Sequence, residues 1–256
     1  MRYALISDIH ANLPALIAVL ADIARRDAGA TYHLGDLVGY APWPNEVVAR
    51  IQDGAIAGVA GNYDSTVARG YKHCGCKYED PVQEEQSHLS FAWTKEHVTD
   101  ATMRLLGALP FRIDLRPFGG HAPGPTITLL HGNHALNTVY VTGDRRDSFL
   151  EKMGQSVGAR PGDVVCVGHT HKPWLRIIGD VRYVNAGSVG RPKDGDWRAG
   201  YVLLDVQPRS IEVEFLRVEY DVDAAAEAIL ASDLPHDFAT FLRTGGVPLT
   251  TVAAAG

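Results

Sequence analysis

The stretch ISDIHANLPAL, Ile6 to Leu16, decides how this chain is read. It closes an apolar run, RYALIS, passes through Asp8 and His10, and enters NLPALIAVLADIARR, where Leu13, Leu16, Ile17 and Leu20 are spaced for one helix face. A second apolar run, ATYHLG, follows. Strand, helix and strand in that order make a βαβ unit. Side chains two apart on an extended segment point the same way. Asp8 and His10 are therefore expected to converge just past the carboxyl end of the first strand, the edge where open α/β sheets place their ligands. Asn12 is available to cap the helix that follows.

Working outward, NEVVARIQD reads as a helix and AIAGVAG as a third strand, so the first part of the chain is expected to build a largely parallel sheet. Residues 79–108 read as helical, with LP as the stop. The runs FRIDLR, TITLLHG, DVVCVGH, WLRIIGD, RYVNAG, YVLLDV and SIEVEFLRVEY then read as strands with short turns, interrupted by one helix near DRRDSFLEKMG. They predict a second sheet, mixed or antiparallel at its end. An Ala-rich helix, a Pro interruption and a short helix close the pattern. The expected organisation is one domain over 1–244 with a helical insert at about 71–108, and a tail, 245–256, that has little to pack against and is expected to be disordered.

With 256 residues, 46% hydrophobic and 21% charged, the chain can bury a large core. A net charge of -6 leaves no basic field for holding long nucleic acid, and no basic-aromatic strip is present. No apolar stretch is long enough to span a bilayer, and the N-terminus does not read as a signal peptide, so a cytoplasmic protein with no membrane partner is expected. Three cysteines do not make a disulfide framework. Cys166 reads as a buried strand residue. Cys74 and Cys76, beside His73, lack the further ligands of a structural zinc site and read as a reduced loop.

The event at Asp8 recurs at later strand ends: Gly35-Asp36, Gly61-Asn62-Tyr63-Asp64, His131, and Gly168-His169-Thr170-His171. Taken singly each has a bland reading as turn chemistry. Five in order at one sheet edge are hard to produce that way. These motifs, together with GDLVGYAPWPNEVV, VGHTHKP and NAGSVGRPKDGD, resemble the calcineurin-like metallophosphoesterase superfamily, in particular its small bacterial and archaeal phosphodiesterase and diadenosine-tetraphosphate hydrolase-like branch. The resemblance covers roughly four fifths of the chain. It implies an α/β fold of two stacked mixed β-sheets flanked by helices, a four-layer sandwich.

It also implies two divalent ions, one held by Asp8, His10, Asp36 and His171, the other by Asp36, Asn62, His131 and His169, with Asp36 bridging. Ions about 3.5 to 4 Å apart need an anionic bridge, and mixed imidazole and carboxylate ligands suit manganese, iron, zinc, nickel or cobalt rather than calcium or magnesium alone, with manganese the expected working ion. The implied reaction is attack of a metal-bridging hydroxide on a small phosphodiester, dinucleoside polyphosphate or nucleotide, with no nucleophilic side chain. The other reading is a catalytically weak metal- and nucleotide-binding sensor or scaffold.

One position departs from the family pattern. Where many members carry His backed by an acid, this chain has Tyr63 before Asp64, and tyrosine, with an ordinary pKa near 10, is a poor proton donor at pH 7. Three readings stay open: Tyr63 contacts the phosphate, the leaving group is acidic enough to need no donor, or His134 in LLHGNHAL serves. Asp36, Tyr63, Asp64 and His134 are thus the expected catalytic set. Asn12, Tyr63 and Arg191 are the expected substrate contacts, with Asn12 first a helix cap and Arg191 set against an ion pair with Asp194 or Asp196. Asn185 is expected to tether loops around the ligands. Substrate choice is left to the loops 71–98, 119–125 and 190–198.

Overall fold

A computed structural model of the chain describes residues 1–78, 80–119 and 124–247. Strand β1 (Arg2–Ile6) leads into α1 (Leu13–Arg25), β2 (Ala30–His33), α2 (Pro44–Asp53) and β3 (Ala57–Gly58). The three strands run parallel, as the βαβ reading requires. Asn12 caps α1 by accepting the Ala15 N–H. Helix α3 (Asn62–Ala68) follows, then α4 (Pro81–His97) and α5 (Asp100–Ala108), which start at the caps Asp80 and Thr99.

The second sheet comprises β4 (Ile113–Leu115), β5 (Ile127–Leu129), β6 (Val164–Val167), β7 (Trp174–Ile178) and β8 (Val181–Asn185), in the order β4-β5-β6-β8-β7, with α6 (Asp147–Val157) between β5 and β6. The last two strands depart from expectation. β9 (Ala199–Gln207) and β10 (Ser210–Val218) join the first sheet, giving the order β10-β9-β1-β2-β3. β9 pairs antiparallel with β1 and satisfies the backbone groups on the edge of β1 that β2 leaves free. Helices α7 (Val222–Leu230) and α8 (Asp237–Thr244) then complete the described chain.

The two sheets face each other across a layer built from Leu5, Leu34, Ile127, Leu129, Val164, Val184, Val202 and Leu204, all fully buried. Each such side chain contributes about 1.5–3 kcal/mol relative to exposure. Cys166 lies in this layer as a free thiol. Outside the first sheet, α1, α2 and α7 cover a second cluster, and outside the other sheet α6 covers a third through Leu150, Met153 and Val157. The result is helix, sheet, sheet, helix. Of the expected disordered tail, 248–256 lie outside the described residues. Gly245 is placed, its carbonyl accepting the Gly195 N–H. Among the described residues no helix is long and apolar enough to cross a membrane.

Candidate metal centre

Every strand that reaches the site stops at a donor residue. Asp8 and His10 follow β1, Asp36 follows β2, Asn62 follows β3, His131 follows β5, and His169 and His171 follow β6. Asp8 and His10 do converge, but not as an extended pair. Both have positive φ (50° and 49°), as do Asp36 (55°), His169 (66°) and His171 (59°). The chain leaves each strand in a left-handed turn that carries the side chain over the sheet edge. Such non-glycine conformations each cost on the order of 1–3 kcal/mol and persist only where the surroundings fix them. Here the fixing is by backbone: the Asp8, His10 and Ala11 N–H groups donate to the carbonyls of Gly35, Asp36 and Leu37. The approach is so close that a Cβ on Gly61 would sit 2.0 Å from Asp36 Oδ1, so only glycine is accommodated there.

Two groups of donors result, Asp8 with His10 and His171, and Asp36 with His131 and His169, all buried. His10 Nε2 lies 3.2 Å from His171 Nε2, and His171 Nε2 3.3 Å from Asp8 Oδ1. Asp36 Oδ2 stands between the groups, 3.7 Å from His10 Nε2 and 3.5 Å from His131 Nε2. Donors about 2.1 Å from a shared ion are separated by roughly 3.0–3.4 Å in octahedral or tetrahedral coordination, which the spacings of His171 to His10 and Asp8 match and those to Asp36 Oδ2 exceed by at most a few tenths of an ångström.

Hydrogen bonding tests whether a cation belongs here. His10 Nδ1 donates to Val38 O (3.0 Å), His131 Nδ1 to Leu34 O (2.7 Å) and His171 Nδ1 to Arg191 O (2.6 Å). A carbonyl only accepts, so each Nδ1 carries a proton, and the neutral rings of His10 and His171 turn an Nε2 lone pair toward the cluster. Two such lone pairs, on His10 and His171, then face each other with no proton between them. Ser7 Oγ and the His169 N–H both donate to Asp8 Oδ2, while Asp8 Oδ1 is buried with no partner among the described residues. Asn62 turns its amide oxygen to His131 Nε2 (3.0 Å) and donates its nitrogen outward to Cys76 Sγ (3.1 Å) and Cys74 O (3.3 Å). With protons alone the opposite orientation would win, because the amide nitrogen would then meet Asp36 Oδ2, His131 Nε2 and His169 Nδ1. A concentration of inward lone pairs without donors is a cation site, and the residues fit the metals.

The electrostatics agree for three of the four imidazoles. Burial depresses His10 and His169 to about 3 and pushes His171 well down, so these rings are neutral, the form that binds metal. Burial opposes the charge on Asp36, yet His131 beside it holds the carboxyl well below the usual range. Burial likewise opposes charge on His131, but Asp36 lifts it to about 9, so without metal this ring is charged and pairs with Asp36, a positive charge where a cation would sit. Asp8, desolvated and next to Asp36, rises to about 7.

The remaining expected residues fare differently. Asp64 backs no proton donor. Its carboxylate accepts the N–H groups of Asp36, Leu37 and Gly61, which makes it the brace of the bridging loop. Burial and then Asp36 raise it to about 7 against those bonds. Tyr63 packs its ring against His10, Tyr40 and Phe91 and bonds its hydroxyl to Ser87, while its N–H donates to Asp36 Oδ1. Asn12 is fully buried, its oxygen spent on the α1 cap and its nitrogen on Gly190 O and Tyr220 Oη, so no atom is left for a phosphate. His134 is exposed at a turn and makes no hydrogen bond among the described residues. Arg191 is not an ion-pair residue: Asp194 and Asp196 are taken by Arg217 and Arg198. It is buried between the rings of Tyr40 and Phe241 instead. Asn185 ties β8 to the ligand loop through Gly168 O. Ser7 and Ser188, whose hydroxyl donates to Asp8 O, escaped sequence reasoning, because a lone serine in a loop carries no spacing signal; Cys76, read as part of a reduced loop, accepts from the Asn62 amide nitrogen.

Replacing Tyr63 by Phe is expected to keep hydrolysis of bis(p-nitrophenyl) phosphate within about threefold, since the hydroxyl serves Ser87; a fall of about 100-fold would return Tyr63 to the proton-donor role.

A buried pair of cation sites at the carboxyl ends of strands in two stacked sheets is the architecture of a metal-dependent phosphoesterase with a dinuclear centre. The chain belongs to the calcineurin-like phosphoesterase superfamily, whose domain model matches residues 1–209. It is 32% identical over 250 residues to an uncharacterized protein, MJ0912, of Methanocaldococcus jannaschii, covering 91% of this chain and 93% of that one. A metallophosphoesterase from Sphaerobacter thermophilus has a similar structure, with a TM-score of 0.73, 27% identity and coverage of 96% of this chain and 99% of that one. A hypothetical protein, PH1004, from Pyrococcus horikoshii shares the fold at a TM-score of 0.79 and 24% identity, over 96% and 98% of the two chains.

Proposed function

We propose that the chain hydrolyses a small phosphate ester, with a phosphodiester preferred, at two manganese ions. One is held by Asp8, His10, Asp36 and His171, the other by Asp36, Asn62, His131 and His169. The observation that carries this reading is the placement of Asp36 Oδ2 within 3.7 Å of His10 and 3.5 Å of His131, one carboxylate serving both donor groups. When bound, the paired ions supply Lewis acidity toward phosphoryl oxygens and a water-derived nucleophile at neutral pH. The chain itself supplies position and dryness. Backbone carbonyls aim three imidazoles, Ser7 fixes Asp8, and Asp64 fixes the loop that carries Asp36. Ser7 and Ser188 are committed to Asp8 as hydrogen-bond donors, which argues against a serine nucleophile. The acidic balance favours a small substrate over long nucleic acid.

Turnover of bis(p-nitrophenyl) phosphate is expected to vanish in EDTA and return with Mn²⁺, and to exceed that of p-nitrophenyl phosphate. No turnover of either ester with Mn²⁺, Fe²⁺, Zn²⁺, Ni²⁺ or Co²⁺ would overturn the reading.

A further inference from the structure

Beside the metal centre lies a cavity of about 450 Å³. Its walls come from three places far apart in sequence: Tyr40 after β2, Val82 and Gln86 on α4, and Phe238 and Phe241 on α8. Arg191 and Lys193 line it as well. Two contacts join it to the centre: the Tyr40 ring stands edge-on to His10 at 4.9 Å, and the Arg191 carbonyl accepts from His171 Nδ1.

Arg191 is the unexplained group. It is 8% exposed, and its guanidinium has no hydrogen bond or ion pair among the described residues. It is held only by stacking, 4.1 Å from the Tyr40 ring centre and 3.7 Å from that of Phe241. A buried, unpaired cation is costly unless an anion joins it, and a guanidinium clamped flat between two rings offers its fork of N–H donors edgewise. Lys193, half-buried beside it, also has no ion-pair partner among the described residues. Two carboxylates also line the cavity, Asp80, which accepts the Val82 N–H, and Asp237, which accepts from Gln86; neither forms an ion pair with Arg191 or Lys193 among the described residues, so the side that holds those two cations keeps its own positive charge. A phosphate alone would leave most of the space empty, because cavities of roughly 300–1,000 Å³ hold drug-sized ligands.

We infer that this cavity is the subsite for the part of the substrate that leaves, and that it takes a nucleotide moiety, with a phosphate beyond the scissile one on Arg191 and Lys193 and the base among the aromatic side chains. Position supports this, since Tyr40 and Arg191 line the cavity and each also touches an imidazole of the metal centre. Chemistry supports it too: bases stack on aromatic rings and on guanidinium planes, and the forked donors of arginine match phosphate oxygens. The inference rests on the phosphoesterase reading above and adds the class of substrate to it.

Calorimetric titration of the Mn²⁺-loaded chain tests it with three probes: α,β-methylene-ADP, methylenediphosphonate, which lacks the nucleoside, and adenosine, which lacks the phosphates. The nucleotide analogue is expected to bind at least about tenfold more tightly than either fragment. Arg191→Gln and, separately, Lys193→Gln should each weaken it about tenfold. Thr240→Trp, which fills the cavity from an exposed position on α8, should weaken the nucleotide analogue and leave methylenediphosphonate within about twofold. Equal affinity for the analogue and methylenediphosphonate, or indifference of the analogue to both Lys193→Gln and Thr240→Trp, overturns the inference. Should bis(p-nitrophenyl) phosphate still be turned over in that case, only the nucleotide subsite is lost. Absence of metal-dependent turnover together with tight nucleotide binding would instead remove the hydrolase and keep the subsite.

Discussion

Asp36→Asn is expected to fold normally and to lose about 10³ in the rate of bis(p-nitrophenyl) phosphate hydrolysis, the equivalent of about 4 kcal/mol of transition-state stabilisation. The substitution keeps the oxygen that accepts the Tyr63 N–H at 2.9 Å, so the local hydrogen bond survives. What changes is Oδ2, the atom lying between His10 and His131. An amide there removes the negative charge that offsets repulsion between two cations, and it puts N–H groups against imidazole lone pairs. Without metal the amide also loses the attraction to the His131 ring that Asp36 lifts to about 9, so the metal-free variant should melt below the metal-free parent, while bound manganese measured by atomic absorption falls from two per chain to one or fewer. Full activity with two ions bound would show that Asp36 is not the bridge.

Asp64→Ala is expected to act on stability. Three backbone N–H groups, those of Asp36, Leu37 and Gly61, point at this fully buried carboxylate from 2.8 to 2.9 Å. Alanine orphans all three in a site sealed from water. At roughly 1–3 kcal/mol for each buried group left unpaired, the loss is about 3–9 kcal/mol. For a chain of this size that corresponds to a fall of roughly 6–36 °C in the thermal midpoint. Asp64→Asn, which keeps one acceptor and turns an NH₂ toward the other donors, should fall in between. A loss of activity with the midpoint within about 2 °C of the parent would restore Asp64 to the chemistry.

The sequence spoke most clearly where a residue type and a strand end coincide. Asp8, Asp36, Asn62, His131, His169 and His171 all lie within a few residues of an apolar run, and that punctuation needs no tertiary information. Helix α3 was hidden because Asn62, Asp64, Ser65 and Thr66 are poor helix formers. It exists through local bonds: Asp64 takes the Gly61 N–H, and Ser65 and Thr66 return their hydroxyls to the carbonyls of Gly61 and Asn62. Strand β3 is cut to two residues because Ala60 donates to Pro110 O and leaves the ladder. The sheet to which β9 and β10 belong was not readable, since alternation tells which face is buried but not which neighbour is paired. The burial of Arg191 was not readable for a related reason. RPKDGD has the composition of a solvated loop, and what buries it is α8, some fifty residues further along.

The left-handed backbone at Asp8, His10, Asp36, His169 and His171 narrows the choice of residue twice over. Asp, Asn and His are the side chains other than glycine that tolerate this region best, and they are also oxygen and nitrogen donors to metals. An alanine scan of these five positions would therefore mix two penalties, a missing donor and a conformation that alanine adopts reluctantly. Exchanges among Asp, Asn and His separate the coordination chemistry from the shape of the chain that presents it.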